Sequence, residues 1–170
     1  ENLPAPQDGP VVFACNHVSF ADPVVMWCSL YSHCGGSRFL ARSSLFRPIV
    51  GGAMARAGAI PIDPDSADKT AIKRAAAALK RGEHLLIFPE GTRMNKPDKA
   101  YKPHGGVVLI ARMGKAKIVP VGIAGTEKIM PYGKAKFIRF PKVRVKVGEA
   151  IDIADARFGD VPKKERSTAI

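Results

Sequence analysis

Short apolar runs alternate with helix-like segments along this chain, and this alternation constrains the fold more than any other feature. The apolar runs at 11–15, 84–88 and 118–123 are far shorter than the roughly twenty residues that cross a membrane, so each predicts a buried strand. The segment 66–81 carries apolar residues at helical spacing and is followed by Gly82, which predicts an amphipathic helix. Strands that alternate with helices predict an α/β fold, a mixed and largely parallel sheet flanked by helices.

Weaker patterns complete this predicted architecture. Further strands are expected at 38–41, 58–62 and 139–147, and further helices at 23–33, around 45–57 and at 105–112. Asp22-Pro23 is typical of a helix start, with a carboxylate at the N-cap and proline at the first helical position. We expect residues 1–170 to form a single domain taken from a longer chain at both ends, because 161–170 has the pattern of another helix.

Two polar loops are candidates for the functional site. In α/β folds, ligands bind in loops beyond the carboxyl ends of the strands. The segments 16–22 and 89–93 each follow a predicted apolar strand directly, and each is crowded with polar groups. Their positions predict a site built from both loops.

In the first loop, His17 precedes Asp22 by five residues. If the loop brings the two side chains together, the carboxylate fixes the imidazole tautomer and leaves the other ring nitrogen free to take a proton from an alcohol. This is the base-and-orienter half of a catalytic triad. The same spacing is common by chance, and helix capping alone would also account for Asp22.

The second loop, Phe88-Pro89-Glu90-Gly91-Thr92-Arg93, has the chemistry of an anion site. Backbone N–H groups of a glycine turn and a guanidinium both match phosphate oxygens. A plain strand-exit turn with a solvated arginine is the alternative. The loop lacks the glycine and lysine spacing of a P-loop, so nucleotide hydrolysis is not expected. Farther along, Pro120 inside an apolar run predicts an edge strand or a bulge.

The charge balance calls for an anionic partner. Lysine and arginine number 27 against 15 acidic residues, a net charge of +12. Nucleic acid, an anionic lipid surface and a phosphorylated substrate would each explain this excess. Aromatic residues make up only 7% of the chain and no recognition motif is present, which favours lipid over nucleic acid. A basic lipid-binding or nucleic-acid-binding module without enzymatic activity remains the alternative.

The three cysteines indicate a reducing compartment, since their spacing fits neither a disulfide framework nor a metal site. Cys15 lies two residues before His17, and on a strand the two side chains would share a face, so a cysteine nucleophile is a second alternative. The apolar run around Cys15 instead favours a core thiol.

Three motifs, taken in order, resemble the glycerol-3-phosphate and lysophosphatidic acid acyltransferase family. They are Asn16-His17-x-Ser19-x-x-Asp22, then Phe-Pro-Glu-Gly-Thr-Arg at 88–93, then Val-Pro-Val-Gly at 119–122. The first motif is weak by itself, whereas the second is quite specific. The resemblance runs from about residue 9 to about residue 153.

The resemblance implies an O-acyltransferase of phospholipid biosynthesis. His17 would be the general base for the acceptor hydroxyl and Asp22 would orient it, and the hydroxyl would attack the thioester of acyl-CoA or acyl-carrier protein directly. Arg93 would bind the acceptor phosphate, and Pro120 would shape the acyl region. The remaining residues of the implied acceptor site are Glu90, Gly91 and Thr92.

The resemblance also implies a lysophospholipid acceptor, foremost 1-acylglycerol-3-phosphate, no metal or other cofactor, and peripheral association with the cytoplasmic, inner face of the membrane. One departure bears on the acceptor. Pro64 follows Asp63 where the family usually has an arginine, and Lys102 or Arg56 would have to substitute for it. An acyltransferase for a lipid acceptor without a phosphate monoester is therefore the alternative within the family.

Overall fold

The computed structural model describes residues 9–35, 37–63, 68–93, 104–129 and 141–153. Within these ranges the chain forms a six-stranded sheet with the order β3-β2-β4-β1-β5-β6. The strands β1 to β5 pair in parallel, and β6 pairs with β5 in the antiparallel sense. In chain order the strands are β1 Val11–Cys15, β2 Arg38–Arg42, β3 Ala59–Ile62, β4 Leu85–Ile87, β5 Lys117–Ala124 and β6 Arg144–Val147. The predicted mixed, largely parallel α/β fold is confirmed.

In the described part of the chain, four α-helices connect the strands: α1 Asp22–Cys34, α2 Pro48–Arg56, α3 Lys69–Lys80 and α4 Gly106–Gly114. Helix α3 is the amphipathic helix expected from the sequence, and Asp68 caps it by accepting a hydrogen bond from the backbone N–H of Ala71 at 2.9 Å. Two short 3₁₀ turns, Ser43–Leu45 and Thr126–Lys128, complete the regular structure.

The central strand β1 is buried on both faces, which explains its unbroken apolar sequence. Val12 packs with α3 and α4 through Leu79 and Ile110, whereas Phe13 packs with α1 through Met26. Val12 and Phe13 are both 0% exposed. The sheet therefore lies between two helical layers, and its central strand is held from both sides.

Pro120 lies in β5, which has neighbours on both sides and is not an edge strand. Val121 pairs with Val147, whereas Ile118 pairs with Ile151. Between these two pairs the chain advances three residues along β5 but four residues along the segment 147–151, so that segment carries one extra residue. The extra residue makes a bulge beside the proline, whose missing N–H then interrupts no regular ladder. Of the two expectations for Pro120, the bulge is correct and the edge strand is wrong.

Several predictions fall outside the described residues: the helix at 161–170, the first part of the strand at 139–147, and the placement of Lys102 and Pro64. The single-domain organisation stays a prediction for the same reason. Among the described helices, none has the length and apolar character that crossing a membrane requires.

Candidate active site

The two candidate loops meet at the carboxyl edge of the sheet. One loop links β1 to α1, and the other follows β4. Because β1 and β4 are parallel neighbours, with Ala14 paired to Ile87, the loops leave the sheet side by side. Phe88 brings them into contact, since its ring stacks on the imidazole of His17 with 4.3 Å between centroids and 28° between planes.

The side chains of His17 and Asp22 are in contact, as the first loop was expected to allow. His17 Nδ1 donates a hydrogen bond to Asp22 Oδ2 at 2.9 Å. The same oxygen accepts from the backbone N–H groups of Val18 and Ser19, both at 2.7 Å. Asp22 is 0% exposed, whereas the His17 side chain keeps 15% of its surface exposed. The imidazole can therefore reach a substrate while its partner stays in the protein interior.

The environment of Asp22 keeps its carboxylate charged. Burial raises the pKa of Asp22, but the donors from His17, Ser19 and Val18, together with the nearby hydroxyl of Thr126, outweigh burial and leave this pKa below its ordinary value of 3.8. Since Nδ1 of His17 points at the carboxylate, Nε2 is the ring nitrogen that faces a substrate. The pair has the geometry of a base with its orienter.

The expectation that Asp22 is the N-cap of α1 is wrong. The cap position belongs to Ala21, which makes no side-chain cap hydrogen bond, and Asp22 is the first residue of the helix. Its Oδ2 accepts from N–H groups upstream in the loop, because the loop folds back over the carboxylate. Helix capping therefore does not account for Asp22, and the simpler explanation left open by the sequence is removed.

Glu90 joins the same polar cluster from the second loop. Burial raises the pKa of its carboxyl group, against the opposite effect of the backbone N–H groups of Glu90 and His17. Its Oε2 is buried and has no hydrogen-bond partner among the described residues. Glu90 thus lies against His17 with one oxygen available to a ligand.

The rest of the second loop is held in place by the first loop and by His104. The guanidinium carbon of Arg93 lies 3.4 Å from the ring centroid of Phe20, a cation–π contact. Gly91 has φ of +65°, and a Cβ there would lie 3.1 Å from the His104 ring, so only glycine fits without strain. His104 in turn donates its backbone N–H to the carbonyl of Pro89 at 2.8 Å. Thr92 is exposed beside this turn.

Pro120 lies on β5, a strand that pairs with β1. It pairs with Ala14 on β1 and is exposed. Next to it, a cleft of about 420 Å³ opens at the carboxyl half of β5, lined by Asn16, Val121, Gly122, Ile123, Ala124, Arg144 and Lys146. Pro120 therefore directly precedes the residues of β5 that line this cleft.

Sequence reasoning missed the role of Asn16. Its side chain donates to the carbonyl of Ile123 at 3.0 Å and accepts from the backbone N–H of the same residue at 2.7 Å. This pair of bonds ties the start of the His17 loop to the end of β5. The signal in the sequence was a polar residue directly after an apolar strand, but its partner lies 107 residues away.

The cysteine alternative is not supported by the geometry. Cys15 is 1% exposed, and burial, followed by the charges of Asp22 and Glu90, raises the pKa of its thiol strongly. A thiol in this setting is a core residue and not a nucleophile. Among the described residues, no three His, Cys, Asp or Glu side chains form a group that could hold a metal ion.

Comparison with known proteins gives a consistent result. Residues 1–124 match the acyltransferase family. The chain is 35% identical over 155 residues to the chloroplastic 1-acyl-sn-glycerol-3-phosphate acyltransferase LPAT1 of Arabidopsis thaliana, covering 89% of this chain and 42% of that protein. It is 32% identical over 171 residues to the 1-acyl-sn-glycerol-3-phosphate acyltransferase of Bacillus subtilis, covering 100% of this chain and 79% of that protein.

A solved structure and a further relative extend the comparison. The crystal structure of the 1-acyl-sn-glycerophosphate acyltransferase PlsC from Thermotoga maritima matches with a TM-score of 0.72 and 25% identity, covering 99% of this chain and 64% of that one. A lyso-ornithine lipid O-acyltransferase of Pseudomonas aeruginosa is 31% identical over 131 residues, covering 76% of this chain and 48% of that protein. The chain thus spans between about two fifths and four fifths of the length of these proteins.

Proposed function

The chain belongs to the acyltransferase family, and from that premise we propose that it acylates a lysophospholipid in phospholipid biosynthesis. The donor would be acyl-CoA or acyl-carrier protein, and the acceptor the free hydroxyl of 1-acylglycerol-3-phosphate. The observation that carries the proposal is the contact between His17 Nδ1 and the buried carboxylate of Asp22. The two relatives named for 1-acyl-sn-glycerol-3-phosphate support the choice of acceptor.

The proposed reaction uses His17 first as a base and then as an acid. Nε2 takes the proton of the acceptor hydroxyl while the hydroxyl oxygen attacks the thioester carbonyl carbon. The tetrahedral intermediate then breaks its C–S bond, and the imidazolium returns the proton to the leaving thiolate. The products are an ester and a free thiol, so atoms and charges balance. Asp22 stabilises the imidazolium between the two steps, which requires the low pKa described above.

The acceptor headgroup would bind at the second loop. We assign the phosphate to Arg93, the backbone of Gly91 and the hydroxyl of Thr92, because these groups lie on the turn that Phe88 joins to His17. Burial raises the pKa of the Glu90 carboxyl, and this side chain lies in the same loop as the proposed phosphate ligands. Lys102 is assigned to the same site on sequence grounds alone.

The acyl chain would lie on the face of β5 that carries Pro120. Along this strand Pro120, Gly122 and Ala124 are exposed at alternate positions, and none of them has a polar side chain. Arg144 and Lys146 are among the residues that line the adjoining cleft, and their positive charges would suit the phosphates of the donor. Acyl length would then depend on how far this surface extends.

Two surface features support a peripheral position on the cytoplasmic face of a membrane, with no nucleic acid as partner. The net charge of +12 favours anionic lipid. At the start of α1, Phe20 and Val24 are 53% and 63% exposed, and Tyr31 is 58% exposed two turns farther along the helix. Exposed apolar side chains beside the candidate site are suited to the interface where the substrates reside.

A second acceptor class has a specific observation in its favour. Pro64 occupies the position where the family usually carries a second arginine, and one relative is named for lyso-ornithine lipid. An acceptor without a phosphate monoester would need no second arginine. This alternative keeps the mechanism and changes only the headgroup.

A thiol-release assay separates the two acceptors. The full chain, supplied with acyl-CoA or acyl-carrier protein in phospholipid vesicles, would be compared on lysophosphatidic acid, a phosphodiester lysolipid and lyso-ornithine lipid. We expect the highest kcat/KM with lysophosphatidic acid. Higher kcat/KM with a lipid lacking a phosphate monoester would select the second acceptor class, and no thiol release with any acceptor would refute the proposed function.

A further inference from the structure

Two residues at the candidate active site, Asp22 and Thr126, each carry a buried oxygen without a hydrogen-bond partner among the described residues. These atoms are Asp22 Oδ1 and Thr126 Oγ1, and both are shielded from solvent. Both residues are 0% exposed. The hydroxyl of Thr126 nevertheless lies close enough to the carboxylate to help lower the pKa of Asp22. Buried polar atoms rarely remain without partners, so this gap calls for an explanation.

The position of Thr126 is set by the end of β5. The side chain of Asn16 hydrogen-bonds both the N–H and the carbonyl of Ile123, and these two bonds join the end of β5 to the loop that carries His17. Gly125 then turns the chain with φ of +101°, and a Cβ there would lie 2.5 Å from the carbonyl oxygen of Lys142, so the turn requires glycine. A 3₁₀ turn holds the next residues, since Ile129 donates its N–H to the carbonyl of Thr126 at 3.0 Å.

The two oxygens of Asp22 differ in their environment. Oδ2 accepts three hydrogen bonds, from His17 Nδ1 and from the backbone of Val18 and Ser19. Oδ1 accepts none among the described residues. A carboxylate held through one oxygen can still rotate about its Cβ–Cγ bond, and this rotation would carry Oδ2 away from the imidazole. A donor on Oδ1 would prevent it.

We infer that Thr126 is a positioning residue for the proposed reaction, and that its hydroxyl donates to Asp22 Oδ1. This inference rests on the proposed roles of His17 and Asp22. A threonine hydroxyl can make the bond, because it rotates freely about its C–O axis and carries one donor. The bond locks the carboxylate plane, holds the imidazole in its reactive tautomer and stabilises the imidazolium formed during transfer.

Three variants of the full chain test this inference. Thr126→Val removes the hydroxyl and keeps the shape, Thr126→Ser keeps the hydroxyl, and Ser37→Ala is the matched control. Ser37 also carries a buried hydroxyl without a partner among the described residues, but it lies just before β2, at the opposite edge of the sheet. If Thr126→Val does not fold by near-ultraviolet circular dichroism, Thr126→Ala takes its place.

The first readout is the titration of the Asp22 carboxyl carbon by NMR, which does not depend on activity. We expect Thr126→Val to move the Asp22 midpoint upward by about half a pH unit or more, because a donor to the charged form is lost. Thr126→Ser and Ser37→Ala should leave it in place. An unchanged midpoint in Thr126→Val would overturn the hydrogen bond, even if the wild-type chain transferred no acyl group.

The second readout is the kinetics of acyl transfer. Thr126→Val should lower kcat about tenfold, the usual effect of one lost hydrogen bond to a charged group, and leave the acceptor KM nearly unchanged. Thr126→Ser should recover most of the rate. Equal losses in the valine and serine variants, or an unchanged kcat despite a shifted Asp22 midpoint, would overturn the positioning role. If the wild-type chain showed no activity, the proposed function would be refuted. The hydrogen bond between Thr126 and Asp22 would then be tested by the Asp22 titration alone.

Discussion

The two edges of the central sheet use their polar residues differently. At the amino edge, Glu83 forms ion pairs with Arg38 and Arg81, and the buried His84 accepts the backbone N–H of Val11 through Nδ1 at 3.3 Å. At the carboxyl edge, Asp22, Glu90 and Thr126 each keep a buried oxygen without a hydrogen-bond partner among the described residues. At the amino edge Ser37 Oγ alone shares this condition.

This difference separates stability from function within one fold. Apart from Ser37, the polar groups named at the amino edge have partners there, so they contribute to holding β1, β2 and β4 together. At the carboxyl edge the inferred bond joins Thr126 to Asp22, whereas the buried Oε2 of Glu90 is left to a ligand. Such an incompletely satisfied group costs stability and is tolerated at a functional site. Changes at the carboxyl edge should therefore affect catalysis first, and changes at the amino edge should affect only folding.

Asp22→Asn should have the largest effect, since Asp22 is both buried and proposed to orient the base. We expect kcat to fall by about a thousandfold or more, because the amide cannot stabilise an imidazolium. The free energy of unfolding should fall by about 1–3 kcal/mol, since the loop donors lose a charged acceptor. Saturation kinetics and urea unfolding would measure the two effects.

The stability of Asp22→Asn should also depend on pH differently from that of the wild type. The folded-state pKa of Asp22 lies below 3.8, so its carboxylate stabilises the fold above that pH, and this contribution is lost as pH falls through the folded-state pKa. Asp22→Asn should lack this part of the acid-induced loss. If Asp22→Asn kept activity within a few-fold of wild type, Asp22 would have no role in the proposed mechanism. The assignment of catalysis to the carboxyl edge and of stability to the amino edge would then also fail.

Arg93→Ala should have the next largest effect, and this effect should be confined to the binding of the acceptor. We expect the KM for lysophosphatidic acid to rise about tenfold or more, as for a lost charged hydrogen bond, with kcat nearly constant. Arg93→Lys is the matched control, because it keeps the charge and loses the fork geometry. A lowered kcat with unchanged KM would instead assign Arg93 to the transition state.

His84→Asn should have the smallest effect and should not change kcat, because His84 lies at the amino edge and is 6% exposed. Burial lowers the pKa of His84 below its ordinary value of 6.5. The folded chain therefore binds fewer protons than the unfolded chain below that pH, and wild-type stability should decline on acidification by at most about 1.4 kcal/mol per pH unit from this group.

Asparagine at this position can offer Oδ1 to the N–H of Val11 but does not titrate. The variant should therefore show a flatter dependence of unfolding free energy on pH, measured by urea denaturation from about pH 7 to about pH 5. Identical slopes in wild type and variant would show that His84 does not carry this acid sensitivity.

Sequence patterns predicted the features that depend on neighbouring residues. The apolar runs and the helical spacing identified the strands and helices. The loops after β1 and β4 were located because each apolar run ends directly before a polar segment. What escaped prediction depends on distant partners: Asn16 binds Ile123, and the hydroxyl of Thr126 lies near the carboxylate of Asp22. No local pattern distinguishes such residues from other polar residues near a turn.

The expected N-cap at Asp22 failed for a related reason. The Asp-Pro signal correctly marked the start of α1, but the carboxylate turns back to His17 and the loop, where it accepts three hydrogen bonds. A tertiary contact thus replaced a local one. For Pro120 the sequence left two possibilities, an edge strand or a bulge. The pairing of β5 with the segment 144–151 selects the bulge.

The most direct test of the central claim is thiol release by His17→Ala, with His33→Ala as a matched histidine control on the exposed end of α1. We expect His17→Ala to keep its fold by circular dichroism and to lose acyl transfer by about a thousandfold or more, while His33→Ala remains active. If His17→Ala retained most of the wild-type rate, the carboxyl edge would not hold the catalytic base and the proposed mechanism would be wrong.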